Sequence, residues 1–596
     1  MTHRPAPTPP AKPTTHRRLR RALGPVCVAL ALGAAAPLAS GSHSAHAAPA
    51  PGRPPGGPAI QSNDAPTPQP AEAAPVAPGV VVVGYDPSAS PATRSSAARA
   101  VGATGSSGTA EAQAEGTPEA SAEGSSAEAQ AQVPAPAAQA QASSAEAQAE
   151  GAPPQLLTLA AHVSVPRAVA RLRHTRGVAW AVPDYLAHVA GPLGPSTPPP
   201  TAGASAVGSD TSPTALTASL AALTASPTAL TAAAASPTAS TATAGGEPFP
   251  DDPGLTGAPG GWRELQWNFV GTFGVEAPGA WANLIADHAP GGRGVIVAVL
   301  DTGVAYANRG PFRRSPDFYR YQFVKGHDFV AHDAYPFDRN GHGTFVAGTV
   351  AEATNNGKDL TGLAYGVRLM PVRVLNSEGN GDAATIAQGV RFAVNHGARV
   401  INLSLEFPGG ITAADIPELI SALRYANRHG VVVVAAAGNE AHAAAAYPAR
   451  APNVIAVGAT TEHGCLASYS NFGLGVTLVA PGGGPDASLP GDPNCHPELP
   501  AGRDVFQVTF TGTSPRRFGI PGGYEGTSMA TPHVAAAAAL VIASGVLGRH
   551  PTPAQVAARL VATARPLGGP TDSRLYGAGL LDAAAATAPG GPGAVP

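Results

Sequence analysis

Three short and almost uninterrupted apolar runs in the second half of the chain constrain its fold more than any other feature. They span residues 295–300, 400–405 and 431–437 and read VIVAVL, VINLSL and VVVVAAA. Runs of this length with little polar alternation are typical of strands that are buried on both faces. Helical patterns lie between them. This alternation predicts an α/β fold with a doubly wound, mainly parallel sheet and helices on both faces.

One of the intervening helices can be bounded from the sequence. Its apolar positions follow i, i+3, i+4, i+7 spacing at Ile416, Leu419, Ile420 and Leu423. Asp415 is predicted to cap the start of this helix, because an aspartate side chain can accept the free backbone N–H groups there. Gly430 is predicted to end it in a left-handed conformation before the next strand.

Composition divides the chain into segments. The main domain is predicted over about 250–585, because large aromatic residues become frequent from Trp262 onward. Strand-like and helix-like pieces within 79–187 predict a small α+β domain upstream. Two stretches contain almost no large apolar residue: 103–154, with AEAQAEG-like repeats, and 191–246, with SPTALTA repeats. We expect the first to be a disordered or transiently helical insertion and the second to be a linker.

The N-terminal 47 residues have the features of an export signal. Arginines at positions 17, 18, 20 and 21 precede an apolar stretch, and Ala45-His46-Ala47 follows as a small-residue cleavage motif. A membrane anchor is the alternative, but glycine and proline residues interrupt the apolar stretch. The sequence therefore predicts a secreted, extracellular protein without a membrane anchor.

The cysteines indicate a disulfide, and the net charge argues against nucleic-acid binding. Cys27 lies in the signal, so export leaves Cys465 and Cys495, which predict one disulfide; two unpaired buried thiols are the alternative. The net charge is -3 at pH 7, and no dense cluster of Lys or Arg lies beyond the first residues. We therefore predict no nucleic-acid binding.

Four polar residues lie at positions where open α/β folds carry catalytic or binding residues. They are Asp301 after the first apolar run, His342 in NGHGT, Asn439 after the third run and Ser528 in GTSMATPHVA. The carboxyl ends of parallel strands carry ligand sites, and a helix N-terminus can stabilise an oxyanion. Taken singly, each residue has an ordinary structural explanation: a turn aspartate, a surface histidine, a turn asparagine and a helix cap.

Together, these motifs and their order resemble the subtilisin family of serine peptidases, over about residues 250–585. The resemblance implies that Ser528 is the nucleophile, His342 the general base and Asp301 the carboxylate that orients the base. It also implies that the side-chain amide of Asn439 stabilises the oxyanion. The implied activity is hydrolysis of peptide bonds in proteins or peptides through an acyl-enzyme intermediate.

The resemblance also indicates a substrate cleft. Two segments are similar to those that pair with an extended peptide: 375–381, including Gly379, Asn380 and Gly381, and 402–405. The first specificity pocket would be lined by Ser404, Leu405, Ala437 and Gly438, a set that suits a large apolar side chain. Glu440 could also accept a basic side chain there, and Glu406 replaces a glycine that is common in the family. Both glutamates could equally be solvated carboxylates.

Further expectations rest on the same resemblance. Asp252, Asp317 and Asn356 resemble ligands of a structural calcium site, and hard oxygen ligands suit that ion; ordinary loop residues are the alternative. Residues 79–187 resemble the family's propeptide, which would act as an intramolecular inhibitor until processing between about 187 and 262. The resemblance also favours a monomer.

Two other functions fit the sequence less well. An esterase of the α/β-hydrolase type needs Gly-x-Ser-x-Gly and the order Ser, Asp, His, whereas Ala530 occupies the last motif position and the order differs. A catalytically silent, peptide-binding subtilisin-like protein is the second alternative. An active-site label on Ser528 would separate an enzyme from such a binding protein.

Overall fold

A computed structural model of the chain describes residues 74–108, 154–191, 249–568 and 573–594, all of which belong to one compact unit, Gln69–Pro596. The predicted signal, 1–47, lies outside the described residues. So do most of the predicted insertion and, apart from residue 191, the whole predicted linker. For those stretches the sequence-based interpretations stay predictions.

The first described elements form a small α+β module. They are β1 (Val76–Tyr85), α1 (Pro91–Ala100), β2 (Ala103–Gly108), β3 (Gln155–Leu159), α2 (Val165–Arg173) and β4 (Val178–Val189). The strands are antiparallel in the order β4-β1-β3-β2. The strands and both helices share a separate small core that includes Val81, Leu157 and Leu172. We call residues 74–108 and 154–191 the N-terminal module.

Strand β2 corrects one boundary drawn from the sequence. The insertion was predicted to begin at about residue 103, but Ala103–Gly108 pairs with β3. The segment reads ATGSSG and carries no apolar pattern. Its strand conformation therefore comes from backbone hydrogen bonds to β3, which local sequence does not encode. Strand β4 also continues to Val189, past the predicted end of this domain at 187.

The second half of the chain is built on a seven-stranded sheet. Its strands and the shorter strands around it are β5 (Ile296–Asp301), β6 (His327–Asp328), β7 (Arg368–Arg373), β8 (Asn380–Asp382), β9 (Val400–Leu403), β10 (Leu405–Glu406), β11 (Val432–Ala436), β12 (Val454–Thr460), β13 (Leu478–Pro481), β14 (Thr509–Phe510) and β15 (Phe518–Gly519). The sheet order is β13-β12-β11-β9-β5-β7-β6, and all its pairs are parallel. The three apolar runs become β5, β9 and β11 near its centre.

Helices cover both faces of this sheet. They are α3 (Ala277–Ala286), α4 (His342–Ala351), α5 (Ala383–Asn395), α6 (Pro417–Arg428), α7 (Thr527–Ser544), α8 (Pro553–Thr563), α9 (Ser573–Tyr576) and α10 (Ala583–Thr587). Alternate residues of β5 face opposite sides of the sheet. Val297 and Val299 lie in the hydrophobic core that contains α7, whereas Ala298 and Leu300 lie in the core that contains α5 and α6. The predicted doubly wound α/β fold is confirmed.

Helix α7 runs through the centre of one core. It is long and apolar enough to cross a membrane, the one described helix of which this is true, but 89% of it is buried inside the fold. Its apolar residues are therefore used in packing against the sheet.

Helix α6 begins later than the sequence suggested. Pro417 is its first residue, and the predicted cap, Asp415, makes no capping bond. The Asp415 carboxylate instead accepts hydrogen bonds from the backbone N–H and the hydroxyl of Thr412, at 2.9 and 2.6 Å. The local turn competes with the helix for this side chain. Gly430, in contrast, adopts the predicted left-handed conformation after the helix, with φ of 76°.

Two long-range links stabilise the C-terminal part of the domain. Cys465 and Cys495 form the predicted disulfide, which anchors part of the long loop between β13 and β14. The fold also continues beyond the predicted boundary at 585, because the buried Arg559 guanidinium donates to the carbonyl oxygens of Ala586 and Pro592 at 2.9 and 2.7 Å. A long-range side-chain contact of this kind leaves no local pattern in the sequence.

Candidate active site

Asp301 and His342 form a buried hydrogen-bonded pair at the carboxyl edge of the parallel sheet. Asp301 is the last residue of β5, and His342 is the first residue of α4. The Asp301 Oδ1 and His342 Nδ1 atoms are 2.8 Å apart, and neither side chain is more than 1% exposed. A carboxylate at Nδ1 fixes the imidazole tautomer and leaves Nε2 as the basic nitrogen.

Asp338 organises the loop that presents this histidine, and sequence reasoning missed it. Its buried Oδ1 accepts the backbone N–H groups of Asn340 and Gly341, both at 2.9 Å, while Oδ2 accepts the N–H and hydroxyl of Thr344. The hydroxyl of Thr302, next to Asp301, also donates to Oδ1, at 3.0 Å. Burial raises the pKa of Asp338. An acidic residue four positions before His342 was the signal available in the sequence.

Ser528 lies in the first turn of α7, which packs against α4. Its hydroxyl donates to the carbonyl oxygen of Ser404 at 2.9 Å, and the Ser404 hydroxyl donates to the carbonyl oxygen of Ser528 at 2.9 Å. The Nε2 atom of His342 is buried and has no hydrogen-bond partner within the described part of the chain. The serine and histidine are therefore not hydrogen-bonded to each other in this conformation.

Asn439 follows β11 and is held by the residue that precedes Ser528. Its Oδ1 accepts the backbone N–H of Thr527 at 2.9 Å and the Thr527 hydroxyl at 3.1 Å. Because these contacts use the oxygen of the amide, the NH2 group of Asn439 faces away from Thr527. That group lies 3.5 Å from Glu406 Oε1. An amide fixed in this way presents a donor without needing to reorganise.

The end of the N-terminal module occupies the groove beside these residues. Strand β4 lies between β8 and β10 as an antiparallel third strand. The N–H of Val189 donates to Gly379 O at 2.9 Å, and the N–H of Ala190 donates to Ser404 O at 3.3 Å. The two flanking segments contain five of the seven residues assigned to substrate binding by resemblance: Gly379, Asn380, Gly381, Ser404 and Leu405.

The carbonyl group of Ala190 lies at the serine. Its oxygen accepts the backbone N–H of Ser528 at 2.9 Å. The next residue, Gly191, is also close, because a Cβ added to it would be 3.8 Å from Ser528 Cβ. The peptide bond between Ala190 and Gly191 is therefore the one presented to the hydroxyl-bearing carbon of Ser528.

One wall of the first specificity pocket differs from what the sequence led us to expect. Leu405 and Ala437 are buried and apolar, as expected, but Glu406 is also buried, with 1% exposure, rather than solvated. Its carboxylate lies against Gly438, where an added Cβ would be 2.3 Å from Glu406 Oε2 and 2.2 Å from Asn471 Nδ2. The pocket wall is therefore partly a carboxyl group, which is a poor surface for a large apolar side chain.

A second polar cluster brings Asp252, Asp317 and Asn356 together. Asp252 accepts the Asn356 backbone N–H at 3.1 Å, and Asp317 accepts the Asn356 side-chain NH2 at 2.5 Å. The buried Glu352 was not singled out by the sequence, and its Oε2 has no hydrogen-bond partner among the described residues. Burial, together with the nearby Asp317 carboxylate, raises the pKa of Glu352 well above its usual range.

Comparisons with known proteins show which proteins this chain is similar to. A family model described as the subtilase family matches residues 292–579. Subtilisin Savinase of Lederbergia lenta is 38% identical over 298 residues, which is 50% of this chain and 91% of that protein. An alkaline protease of Alkalihalobacillus alcalophilus is 38% identical over 298 residues, covering 50% of this chain and 65% of that protein. Among solved structures, a protease from Pseudoalteromonas arctica PAMC 21717 is 30% identical and covers 57% of this chain and 98% of its own, with a TM-score of 0.45.

Proposed function

This chain belongs to the subtilase family of serine endopeptidases, and we propose that it is a secreted enzyme made as a self-inhibited precursor, with Ser528 as nucleophile, His342 as general base and Asp301 as orienting carboxylate. The observation that carries the proposal is the Ala190 carbonyl oxygen, which accepts the Ser528 N–H at 2.9 Å. A backbone donor at this position is what an acyl-transfer site needs to stabilise the oxyanion that forms on attack.

In the proposed reaction, the Ser528 hydroxyl turns from Ser404 O towards Nε2 of His342, which takes its proton as Oγ attacks the substrate carbonyl carbon. Asp301 holds the imidazole and stabilises the imidazolium. The Ser528 N–H and the Asn439 NH2 group donate to the oxyanion. His342 then gives the proton to the leaving amine, and a water molecule repeats the sequence on the acyl-enzyme.

The N-terminal module is proposed to be both inhibitor and first substrate. Its strand β4 fills the groove through main-chain hydrogen bonds with β8 and β10. We propose that Ser528 cleaves the bond between Ala190 and Gly191, within the range 187–262 expected from the sequence. Recognition through the main chain also favours extended, unfolded segments of other proteins as substrates.

Calcium is proposed as a structural ion near the start of the domain. Asp252, Asp317 and Asn356 would hold it, and the cation would offset the repulsion among these carboxylates and Glu352. The donor set fits, because two carboxyl groups and an amide lie together, and burial raises the pKa of both Asp252 and Asp317. Asn356 would have to turn its amide oxygen towards the ion, since its NH2 group now donates to Asp317.

A catalytically silent peptide-binding protein is the second candidate, and one observation favours it: His342 Nε2 has no partner and Ser528 Oγ donates to Ser404 O. In known enzymes, catalytic hydrogen bonds are often incomplete before the productive complex forms, so this geometry also suits an enzyme at rest.

The test compares the precursor with its Ser528→Ala and Ser544→Ala variants. Ser544 lies at the other end of the same helix, α7, so its loss controls for helix perturbation. We expect wild type and Ser544→Ala to process themselves, to react with a fluorophosphonate and to digest casein, and Ser528→Ala to do none of these. A pure Ser528→Ala precursor that is cut to the same product would contradict self-processing. Processed wild type that neither labels nor cleaves casein would support the binding protein.

A further inference from the structure

Glu406 and Glu440 form a close pair of acidic side chains beside the bound strand β4, and we call them the carboxylate pair. Glu406 of β10 is directly opposite His188 of β4 in the antiparallel ladder. Side chains that are directly opposite in such a ladder project to the same face and contact each other. A ring nitrogen of His188 and one carboxylate oxygen of each glutamate all lie within 4.8 Å of one another.

The carboxylate pair is built into the cleft rather than left in solvent. Glu406 is 1% exposed and accepts the Asn439 backbone N–H at 3.2 Å. The Oε2 atom of Glu440 accepts the Asn471 NH2 at 2.8 Å, and the same NH2 group donates to Ala437 O at 3.0 Å. Both carboxyl groups are therefore fixed by neighbours that also shape the substrate pocket.

The carboxylate pair has no cationic partner within the described residues. None of the ion pairs formed within the described residues includes Glu406 or Glu440. Burial, and then the nearby Glu440 carboxylate, raise the pKa of Glu406 to about 9. A cationic side chain placed beside these two carboxyl groups would favour their charged forms, so the site suits a cation.

We infer that the carboxylate pair is a subsite for a cationic side chain on the third residue before the cleaved bond, the position that His188 occupies relative to Ala190–Gly191. This inference rests on the proposed function. Substrates with Lys, Arg or protonated His at that position are favoured, and substrates with Asp or Glu are rejected, because like charges placed together in a partly buried site repel strongly.

The kinetic test uses purified mature enzyme and quenched-fluorescence peptides with the sequence of residues 186–191, Leu-Ala-X-Val-Ala-Gly, in which X is Lys, His, Gln or Glu. We expect kcat/KM to fall in the order Lys, Gln, Glu, with Lys exceeding Glu about tenfold or more at low salt and less at high salt. In the Glu406→Gln/Glu440→Gln double variant the Lys to Glu ratio should fall to within about twofold of one. The ratio is internal to each enzyme, so a general loss of turnover does not affect it.

Equal rates for Lys and Glu peptides in the wild type, or an unchanged ratio in the double variant, overturn the inference while leaving the peptidase proposal intact. Hydrolysis of none of the peptides by a processed enzyme counts against the proposed function instead. A preference for His over Lys that disappears with EDTA also overturns the inference, because it indicates a metal ion shared by the histidine of the peptide and the two glutamates.

A second measurement needs no catalysis. In the full-length Ser528→Ala precursor, His188→Lys should raise the melting temperature relative to His188→Gln, and His188→Glu should lower it. Adding Glu440→Gln should reduce the difference between the Lys and Glu variants by at least half. Melting temperatures that do not depend on the charge at position 188 contradict the inference, whether or not the protein is an active enzyme.

Discussion

The backbone N–H of Ser528 donates to the carbonyl oxygen of Ala190 at 2.9 Å. This bond joins the start of helix α7 to the last residues of the N-terminal module, which are more than 300 positions away in the sequence. It places the peptide bond between Ala190 and Gly191 beside Ser528, the residue that we propose to be the nucleophile. The predictions below follow from this contact and from the groups that surround it.

Processing should depend on the N–H group of Ala190. Ala190→Pro removes the donor that reaches Ser404 O at 3.3 Å and should slow self-processing at least about tenfold. Ala190→Gly keeps the N–H and removes only the methyl group, so it should process within about threefold of wild type. Product masses and N-terminal sequencing of the mature protein measure both effects. Equal rates for the two variants would show that another bond is cleaved.

Loss of the Asn439 amide should lower turnover more than substrate binding. Asn439→Ala removes a donor expected to act only on the oxyanion, and removal of such a donor in a subtilisin costs about 10²–10³ in kcat. KM should change by less than about threefold, as measured with a soluble peptide substrate. Since Asn439 also accepts the Thr527 N–H, the melting temperature of the variant checks that the fold survives. A variant with normal kcat and raised KM contradicts the oxyanion role.

The disulfide should contribute measurably to stability. Cys465 and Cys495 are separated by 30 positions, and closing a loop of that size stabilises a fold by about 3–4 kcal/mol in the chain-entropy description. The Cys465→Ser/Cys495→Ser variant, in a Ser528→Ala background that prevents self-digestion, should unfold at lower urea concentration. The Ser528→Ala parent, with its disulfide intact, is the reference for the urea midpoint. Identical midpoints for the two proteins would refute the prediction.

The buried His533 should make stability fall as the pH drops from about 6.5 to 4. Its Nδ1 bonds with Met529 O at 2.9 Å, its Nε2 lies 2.7 Å from Asn268 Nδ2, and burial lowers its pKa to about 4. The unfolded chain, with a histidine pKa near 6.5, takes up the proton first in this window, so protonation favours unfolding. The loss is about 2 kcal/mol at pH 5 and about 3 kcal/mol once the folded group is also protonated.

His533→Gln removes this titration. The difference in the free energy of unfolding between the variant and its parent therefore separates the histidine from carboxyl groups that titrate in the same pH range. Urea unfolding of the Ser528→Ala precursor with and without His533→Gln, at pH 7 and pH 5, gives the two slopes. The parent should lose about 2 kcal/mol more than the variant between these pH values. Parallel pH dependence would mean that His533 is not a buried neutral histidine.

Removal of calcium should destabilise the domain through Asp252 and Asp317. If the ion binds only the folded chain, saturation at about 100 times Kd stabilises the fold by about 3 kcal/mol. A chelator should then lower the melting temperature by about 5 °C or more. Asp317→Asn should melt lower and respond less to the chelator. Asp287→Asn, at the end of α3, is the charge-matched control and should respond like wild type. No effect of the chelator on melting or activity would count against the site.

The sequence determined the central strands of the sheet and the order of the candidate catalytic residues along the chain. Buried parallel strands need continuous apolar residues, so the runs at 295–300, 400–405 and 431–437 could be recognised without any knowledge of their neighbours. The family motifs likewise placed Asp301, Asn439 and Ser528 beside strand ends or a helix start, because those positions depend on local backbone geometry. Two cysteines beyond the signal predicted one disulfide, with two unpaired thiols as the alternative, and the structure pairs Cys465 with Cys495.

Only the tertiary structure decided what depends on contacts between distant segments. Strand β2 has no apolar pattern and exists because β3 pairs with it. Asp415 could cap a helix by its type, but Thr412 competes for its carboxylate. From the sequence Glu406 could equally be solvated, but in the folded chain it is buried, opposite β4 and against Gly438. The sequence places an acidic residue four positions before His342, but only the structure shows that Asp338 binds the His342 loop. Local sequence fixes which groups are present and which elements form, whereas the partners of a polar group are set by packing across hundreds of residues.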